Sequence, residues 1–172
     1  MKNTTRKQKQ IQHHHFLLRM ETKICPGKND IQATEAMVYQ IIHEINMKPL
    51  DTPKVYYVDT PKYNEGLTAI VPIETSHIAF HFWSRPEQQI LKNSESTCLL
   101  EFDLYTCGSL SGWQIQKVLS HLTQFEPTHC DVTVLNRKWS LAINKHIKWD
   151  ASNTSWAKFL QSDRWKNQNY ST

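Results

Sequence analysis

Apolar positions along this chain follow two different periods. At Ile31, Met37, Val38, Ile41, Ile42 and Ile45, and again at Ile115, Val118, Leu119, Leu122 and Phe125, most recur three or four residues apart. That spacing puts one greasy stripe on an α-helix. Asp30 is placed to cap the first helix and Pro49 follows it, while Pro127 stops the second. Elsewhere, short apolar runs and alternating stretches predict strands over 15–19, 54–58, 67–73, 77–83, 99–107 and 130–135. Pro26 and Gly27 close the first of these, and Asp59, Pro61, Asn64 and Gly66 supply turn chemistry between the second and third.

Two of the strands sort cleanly by face. In 77–83, Ile78, Phe80 and Phe82 share one side, and His77, Ala79, His81 and Trp83 the other. In 99–107, Leu100, Phe102 and Leu104 oppose Glu101, Asp103, Tyr105 and Cys107. With no βαβ rhythm and no glycine-rich phosphate loop, this pattern predicts an α+β fold: a two-layer sandwich in which two helices cover one face of an antiparallel sheet. The chemically rich face is then left for a site, an interface or both. The polar segment 84–97, containing Pro86, is long for a hairpin loop and predicts a functional or mobile connection. The chain divides into a disordered basic tail over 1–12, one domain over 13–149 and a C-terminal extension over 150–172. In the extension, Trp156 and Trp165 stand among polar residues, which reads as a loosely attached tail without an assigned role.

Composition narrows the class. A chain of 172 residues with 39% apolar and 21% charged residues suits one soluble globular domain rather than a disordered one. No apolar run approaches the roughly 18–20 residues that cross a bilayer, and no hydrophobic stretch follows the basic start as a signal peptide requires. The expectation is a cytoplasmic protein without a membrane partner. The net charge of +4 is mild and gathers at Lys2, Arg6, Lys7 and Lys9 without interleaved aromatics, a solvated terminus rather than a nucleic-acid arm. Cys25, Cys98, Cys107 and Cys130 contain no C-x-x-C pair and read as free thiols in a reducing compartment. His13, His14 and His15 lack a carboxylate or cysteine at ligand spacing, so no metal site is assigned to them.

The chemistry-bearing residues cluster in two stretches: Thr75-Ser76-His77-Ile78-Ala79-Phe80-His81-Phe82-Trp83, then Asp103-Leu104-Tyr105-Thr106-Cys107-Gly108. In this order the pair resembles the pyruvoyl-dependent S-adenosylmethionine decarboxylases of the bacterial and archaeal type. In those enzymes a Glu-Ser-His-x-x-x-His-x-Trp-Pro-Glu strand precedes one ending Asp-x-aromatic-Thr-Cys-Gly. The resemblance spans about residues 13–139. It implies cleavage between Thr75 and Ser76, with Ser76 becoming the pyruvoyl cofactor, His81 assisting the cleavage and Cys107 donating a proton during catalysis. It also implies that Thr68 stands where the family has a processing serine, and that neither a metal nor pyridoxal phosphate is used.

In the implied processing, the serine hydroxyl attacks the preceding carbonyl, the amide becomes an ester, and loss of the α-proton frees the upstream chain. The ketone left behind captures the substrate amine and draws electrons from the departing carboxylate. Ser76 lies an odd number of residues from His81, so the backbone must bend at 75–76 for both to serve one site. The resemblance further implies a homodimer with substrate near the junction, Tyr63 stacking on adenine and Glu87 holding the ribose.

Three departures bear on function. Thr75 replaces the family glutamate, Trp83-Ser84-Arg85-Pro86-Glu87 displaces Glu87, and Glu101 adds an acid to the site face. The leading expectation is a decarboxylase supplying the aminopropyl donor for spermidine synthesis. The displaced Glu87 and the added Glu101 motivate an alternative, a pyruvoyl enzyme acting on ornithine or arginine. Thr75 motivates another, a non-catalytic homologue acting as a regulatory partner.

Overall fold

The computed structural model describes residues 11–60 and 64–166. Most of the basic tail and Tyr63 therefore lie outside the described residues. The strands are β1 (His14–Thr22), β2 (Lys54–Val58), β3 (Gly66–Ile73), β4 (Ser76–Trp83), β5 (Cys98–Thr106), β6 (Pro127–Asn136) and β7 (Ala142–Asp150). The α-helices are α1 (Ile31–Glu44), α2 (Gly112–His121) and a short α3 (Trp156–Gln161). The strands form one sheet in the order β2-β3-β4-β5-β1-β6-β7, antiparallel at every pairing. The structure is the α+β two-layer sandwich that the hydrophobic pattern predicts. No helix among the described residues is long and apolar enough to cross a membrane.

Strand alternation decides where the core lies. Phe16, Leu18 and Met20 of β1, Ile78, Phe80 and Phe82 of β4, and Leu100, Phe102 and Leu104 of β5 are buried in one cluster. Met37, Val38, Ile41 and Ile42 of α1 and Ile115, Val118 and Leu119 of α2 complete it. Gln114 joins the helices: its side-chain oxygen accepts the Ser111 N–H at 2.9 Å, and its Nε2 donates to the Ile45 carbonyl at 2.7 Å. Asp30 stands at the helix start, but its carboxylate accepts from the Gly27 N–H, closing the preceding turn rather than capping α1 itself.

Three expectations need correction. Cys25 and Cys98 form a disulfide, whereas Cys107 and Cys130 are free. The register pairs Thr22 with Cys98, so the chain leaving β1 carries Cys25 back beside it, a proximity that linear spacing does not reveal. The segment 84–97 is anchored. Fully buried Glu21 accepts the backbone N–H groups of Lys92 and Asn93 and the Ser96 hydroxyl, and Ser96 also bonds Thr128. Burial opposes ionisation of Glu21, but the hydrogen bonds from Arg19, Asn93, Lys92 and Ser96 outweigh it and hold the carboxyl below its ordinary value.

The C-terminal segment is also packed rather than loosely attached. Trp149 meets Trp156 at 4.8 Å between ring centroids, Phe159 meets Trp165 at 5.4 Å, and Trp165 is 2% exposed. Its backbone comes so close to Gly112 that an added Cβ would lie 2.4 Å from the Trp165 carbonyl oxygen, so glycine is needed there. The neighbouring β7 carries only Ile147 and Trp149 buried, between exposed polar and basic residues.

Candidate active site

The hairpin between β3 and β4 turns at Glu74 and Thr75, and β4 begins at Ser76. Ser76 has φ 150°, a conformation L-residues rarely adopt. The bend expected at 75–76 is thus present. The Thr75 carbonyl, the first half of the Thr75–Ser76 peptide, accepts the Cys107 N–H at 2.9 Å. The Thr75 side chain is fixed as well: the Gly108 N–H donates to Thr106 Oγ1, whose hydroxyl donates to Thr75 Oγ1 at 2.9 Å. Glu74, one position earlier, pairs with Lys48 at 2.6 Å. A cavity of about 420 Å³ opens beside the turn, bordered by Lys48, Glu74, Thr75, Gly108 and Trp113.

Around Ser76 the cross-strand register gathers polar side chains. Ser76 Oγ lies 3.1 Å from His77 Nδ1. His77 pairs with Tyr105 in register, which leaves Asp103 as a diagonal neighbour, with His77 Nε2 3.2 Å from Asp103 Oδ1. His15 approaches the same carboxylate from β1, its Nε2 2.5 Å from Oδ2. The histidine run is split by strand alternation: His14 is buried, while His13 bonds the Tyr105 hydroxyl at 2.8 Å and His15 bonds Asp103. Among the described residues no group of three or more potential ligands is placed to hold a metal.

Thr68 and His81 form a second group. They are register partners on β3 and β4, and Thr68 Oγ1 is hydrogen-bonded to His81 Nδ1. His81 Nε2 is buried without a partner, and the ring lies 4.1 Å from that of Trp83. Burial pushes His81 below the ordinary imidazole value. Arg19, Thr68, His81, Glu101, Asp103 and Asp131 help line a concavity of about 570 Å³ on the open sheet face. Five residues of extended strand separate Ser76 from His81, about 16 Å at the usual rise, so within one chain the two do not touch.

A family model for S-adenosylmethionine decarboxylase matches residues 18–138, well over half of the chain, and takes in Ser76, His77, Asp103 and Cys107 as well as Thr68 and His81. The chain belongs to the S-adenosylmethionine decarboxylase family. Membership assigns it S-adenosylmethionine decarboxylase activity at the level of the family. A search of curated proteins found no match.

Set beside the family pattern, the structure brings Thr75, Ser76 and the Cys107 backbone together at the end of the β4–β5 pair. It brings Thr68, His81 and Glu101 together farther along β4, with Glu101 exposed opposite His81. Glu87 joins neither group. It is half-buried in the 84–97 segment, hydrogen-bonded by Gln89, beyond the far end of β4. Two side chains given no role from the sequence join this group: His77 lies against Ser76, and Asp103 lies against His77. Their shared face was legible in the alternation, but the diagonal contact depends on inter-strand register, which one sequence does not state.

Proposed function

We propose that this family member is a self-processing pyruvoyl enzyme that cleaves between Thr75 and Ser76 and decarboxylates S-adenosylmethionine, supplying the aminopropyl donor for spermidine synthesis. The observation that carries this reading is the strained Ser76 backbone, joined to a carbonyl that already accepts the Cys107 N–H. A serine at φ 150° raises the starting energy of the peptide by about 1–3 kcal/mol, energy that cleavage releases. The Cys107 N–H is aimed at the oxygen on which charge develops when Ser76 Oγ attacks the Thr75 carbonyl carbon. Thr75 in place of glutamate is compatible with this role, because its hydroxyl is tied down by Thr106.

Attack by Oγ and loss of the C–N bond give an ester and a free Ser76 amine. Removal of the Ser76 α-proton then expels the Thr75 carboxylate. Water replaces the resulting imine nitrogen, which leaves as ammonia, and the new C-terminal chain starts with a ketone. That ketone supplies the electron sink for decarboxylation. Cys107 is assigned the proton donated to the product carbon, and the cavity bordering Thr75 is the adjacent space through which substrate reaches residue 76.

Thr68 and His81 enter from a second subunit in this reading. Their distance from Ser76 along β4, the open concave face and the unpartnered His81 Nε2 all favour a homodimer in which one chain's His81 serves the other chain's Ser76. Its lowered pKa keeps His81 neutral near pH 7, ready to accept the α-proton. Glu101, Asp103 and Asp131 beside the concavity keep a basic amino acid in view as the alternative substrate.

The test is intact mass of purified protein. Wild type should give chains of residues 1–75 and 76–172, the latter ending in a ketone at its first residue, and Ser76→Ala should stay whole. A wild-type chain that remains whole after ageing under native conditions overturns self-processing. Carbon dioxide release from labelled S-adenosylmethionine, ornithine and arginine separates the substrates.

A further inference from the structure

We propose that His77, oriented by Asp103, is the general base that activates Ser76 for its attack on the Thr75 carbonyl. The proposal rests on the self-cleavage reading and assigns the first proton transfer within it. Ser76 Oγ and His77 Nδ1 stand 3.1 Å apart, within reach for a serine hydroxyl donating to an imidazole nitrogen. That donation needs Nδ1 free of a proton, which puts the ring proton on Nε2. Nε2 faces Asp103 Oδ1 at 3.2 Å.

The approach to Asp103 is not aligned as a hydrogen bond, and Oδ1 is left buried with no donor of its own. A buried carboxylate oxygen without a donor is costly, and a small turn of the His77 ring would satisfy it. The other oxygen is occupied by His15 at 2.5 Å, so Asp103 is anchored from β1 while it faces β4. Tyr105, whose ring centroid is 6.0 Å from that of His77, braces the imidazole from the side.

Serine, histidine and aspartate are thus arrayed as nucleophile, base and orienting carboxylate, an arrangement recognised by geometry and roles rather than by order in the chain. As Oγ bonds to the Thr75 carbonyl carbon, its proton passes to His77 Nδ1. The oxyanion forms on the oxygen already facing the Cys107 N–H. When the C–N bond breaks, the same proton goes to the departing Ser76 nitrogen, and His77 returns to its starting state. The shift from amide to ester is balanced without a co-reactant. His77 and His81 then divide the work: the hydroxyl proton belongs to the first, the α-proton to the second.

Hydroxylamine, which captures esters but leaves amides, separates the two steps. Cleavage would be followed by intact mass for wild type, Ser76→Ala, His77→Ala, His77→Gly, His81→Ala and Asp103→Asn. His77→Ala should cleave at least ~100-fold more slowly than wild type, within the usual contribution of a general base. Hydroxylamine should not speed it, because no ester forms, whereas His81→Ala should stall as an ester that hydroxylamine cuts. Imidazole in solution should restore part of the rate to His77→Gly.

For Asp103, which positions rather than reacts, Asp103→Asn should slow cleavage, Asp103→Glu should recover part of it, and Asp103→Asn should add nothing in a His77→Ala background. The His77 side chain is 42% exposed, so its truncation leaves no core void, and a thermal melt checks the fold. Wild-type cleavage in His77→Ala, or rapid hydroxylamine cutting of that variant, overturns the assignment while self-processing stands. A wild type that stays whole overturns both.

Discussion

At Ser76, backbone and chemistry coincide. Alanine at this position keeps the steric penalty of φ 150°, and glycine removes it. Neither variant carries the Ser76 hydroxyl that the proposed cleavage needs, so both should be compared as whole chains: Ser76→Gly should be more stable than Ser76→Ala by about 1 kcal/mol, read from chemical denaturation. Equal stability would mean the turn holds no strain. Cys107 contributes twice through different atoms. Its backbone N–H faces the Thr75 carbonyl, and its thiol is assigned to catalysis. Cys107→Ala keeps the first and loses the second, so cleavage should proceed while carbon dioxide release falls on the order of 100-fold, with the ketone consumed sooner per turnover. Unchanged turnover and unchanged ketone lifetime would remove the thiol from the mechanism.

At the scale of elements, what could be read from the sequence depended on how many buried positions each element carries. Helices α1 and α2 and strands β3, β4 and β5 bury residues at a steady period, and the faces of β4 and β5 were legible from Ile78, Phe80, Phe82, Leu100, Phe102 and Leu104 alone. Strand β7 was not, because only Ile147 and Trp149 turn inward and its remaining surface is polar, basic or exposed, as suits a sheet edge. Short α3 has no full period to detect, and its aromatic contacts lie with Trp149 and Trp165. Ser76, His81 and Cys107 were legible as a motif, whereas the grouping of Ser76 with His77 and Asp103 required register.

The 84–97 segment shows the same limit, since its length is visible but its anchor, Glu21, sits on β1. Glu21→Gln keeps the shape and loses the charge that four donors satisfy; it should cost about 1–3 kcal/mol and open residues 84–97 to proteolysis. The Glu21 carboxyl is held below its ordinary value, so its stabilisation is complete above the ordinary carboxylate range and is lost as pH falls through the lowered value. Acid unfolding of wild type should therefore show a drop that Glu21→Gln lacks. Parallel acid curves for the two proteins would rule the anchor out.

The whole molecule has one covered face and one open face, and the assigned chemistry is distributed along the open one. Ser76 and His81 are held in the same strand, with Thr68 bonded to His81 from β3, and the paired sheet keeps Ser76 and His81 about 16 Å apart. No rotamer change closes that gap. A second copy related by a twofold axis would reverse the direction of β4, so that each His81 approaches the other subunit's Ser76, and it would cover the concave surface and the buried, unpartnered His81 Nε2. Mixed dimers distinguish this from catalysis within one chain. A Ser76→Ala chain cannot be cut but still offers His81; a His81→Ala chain offers Ser76 but lacks the second base. Neither should cleave alone. Co-expressed, with the chains tagged for separate detection, the His81→Ala chain should be cut and the Ser76→Ala chain should not. If the His81→Ala chain stays whole in the mixture, or if light scattering finds a fully active monomer, the shared site is wrong and His81 must act on its own chain through a rearrangement of β4.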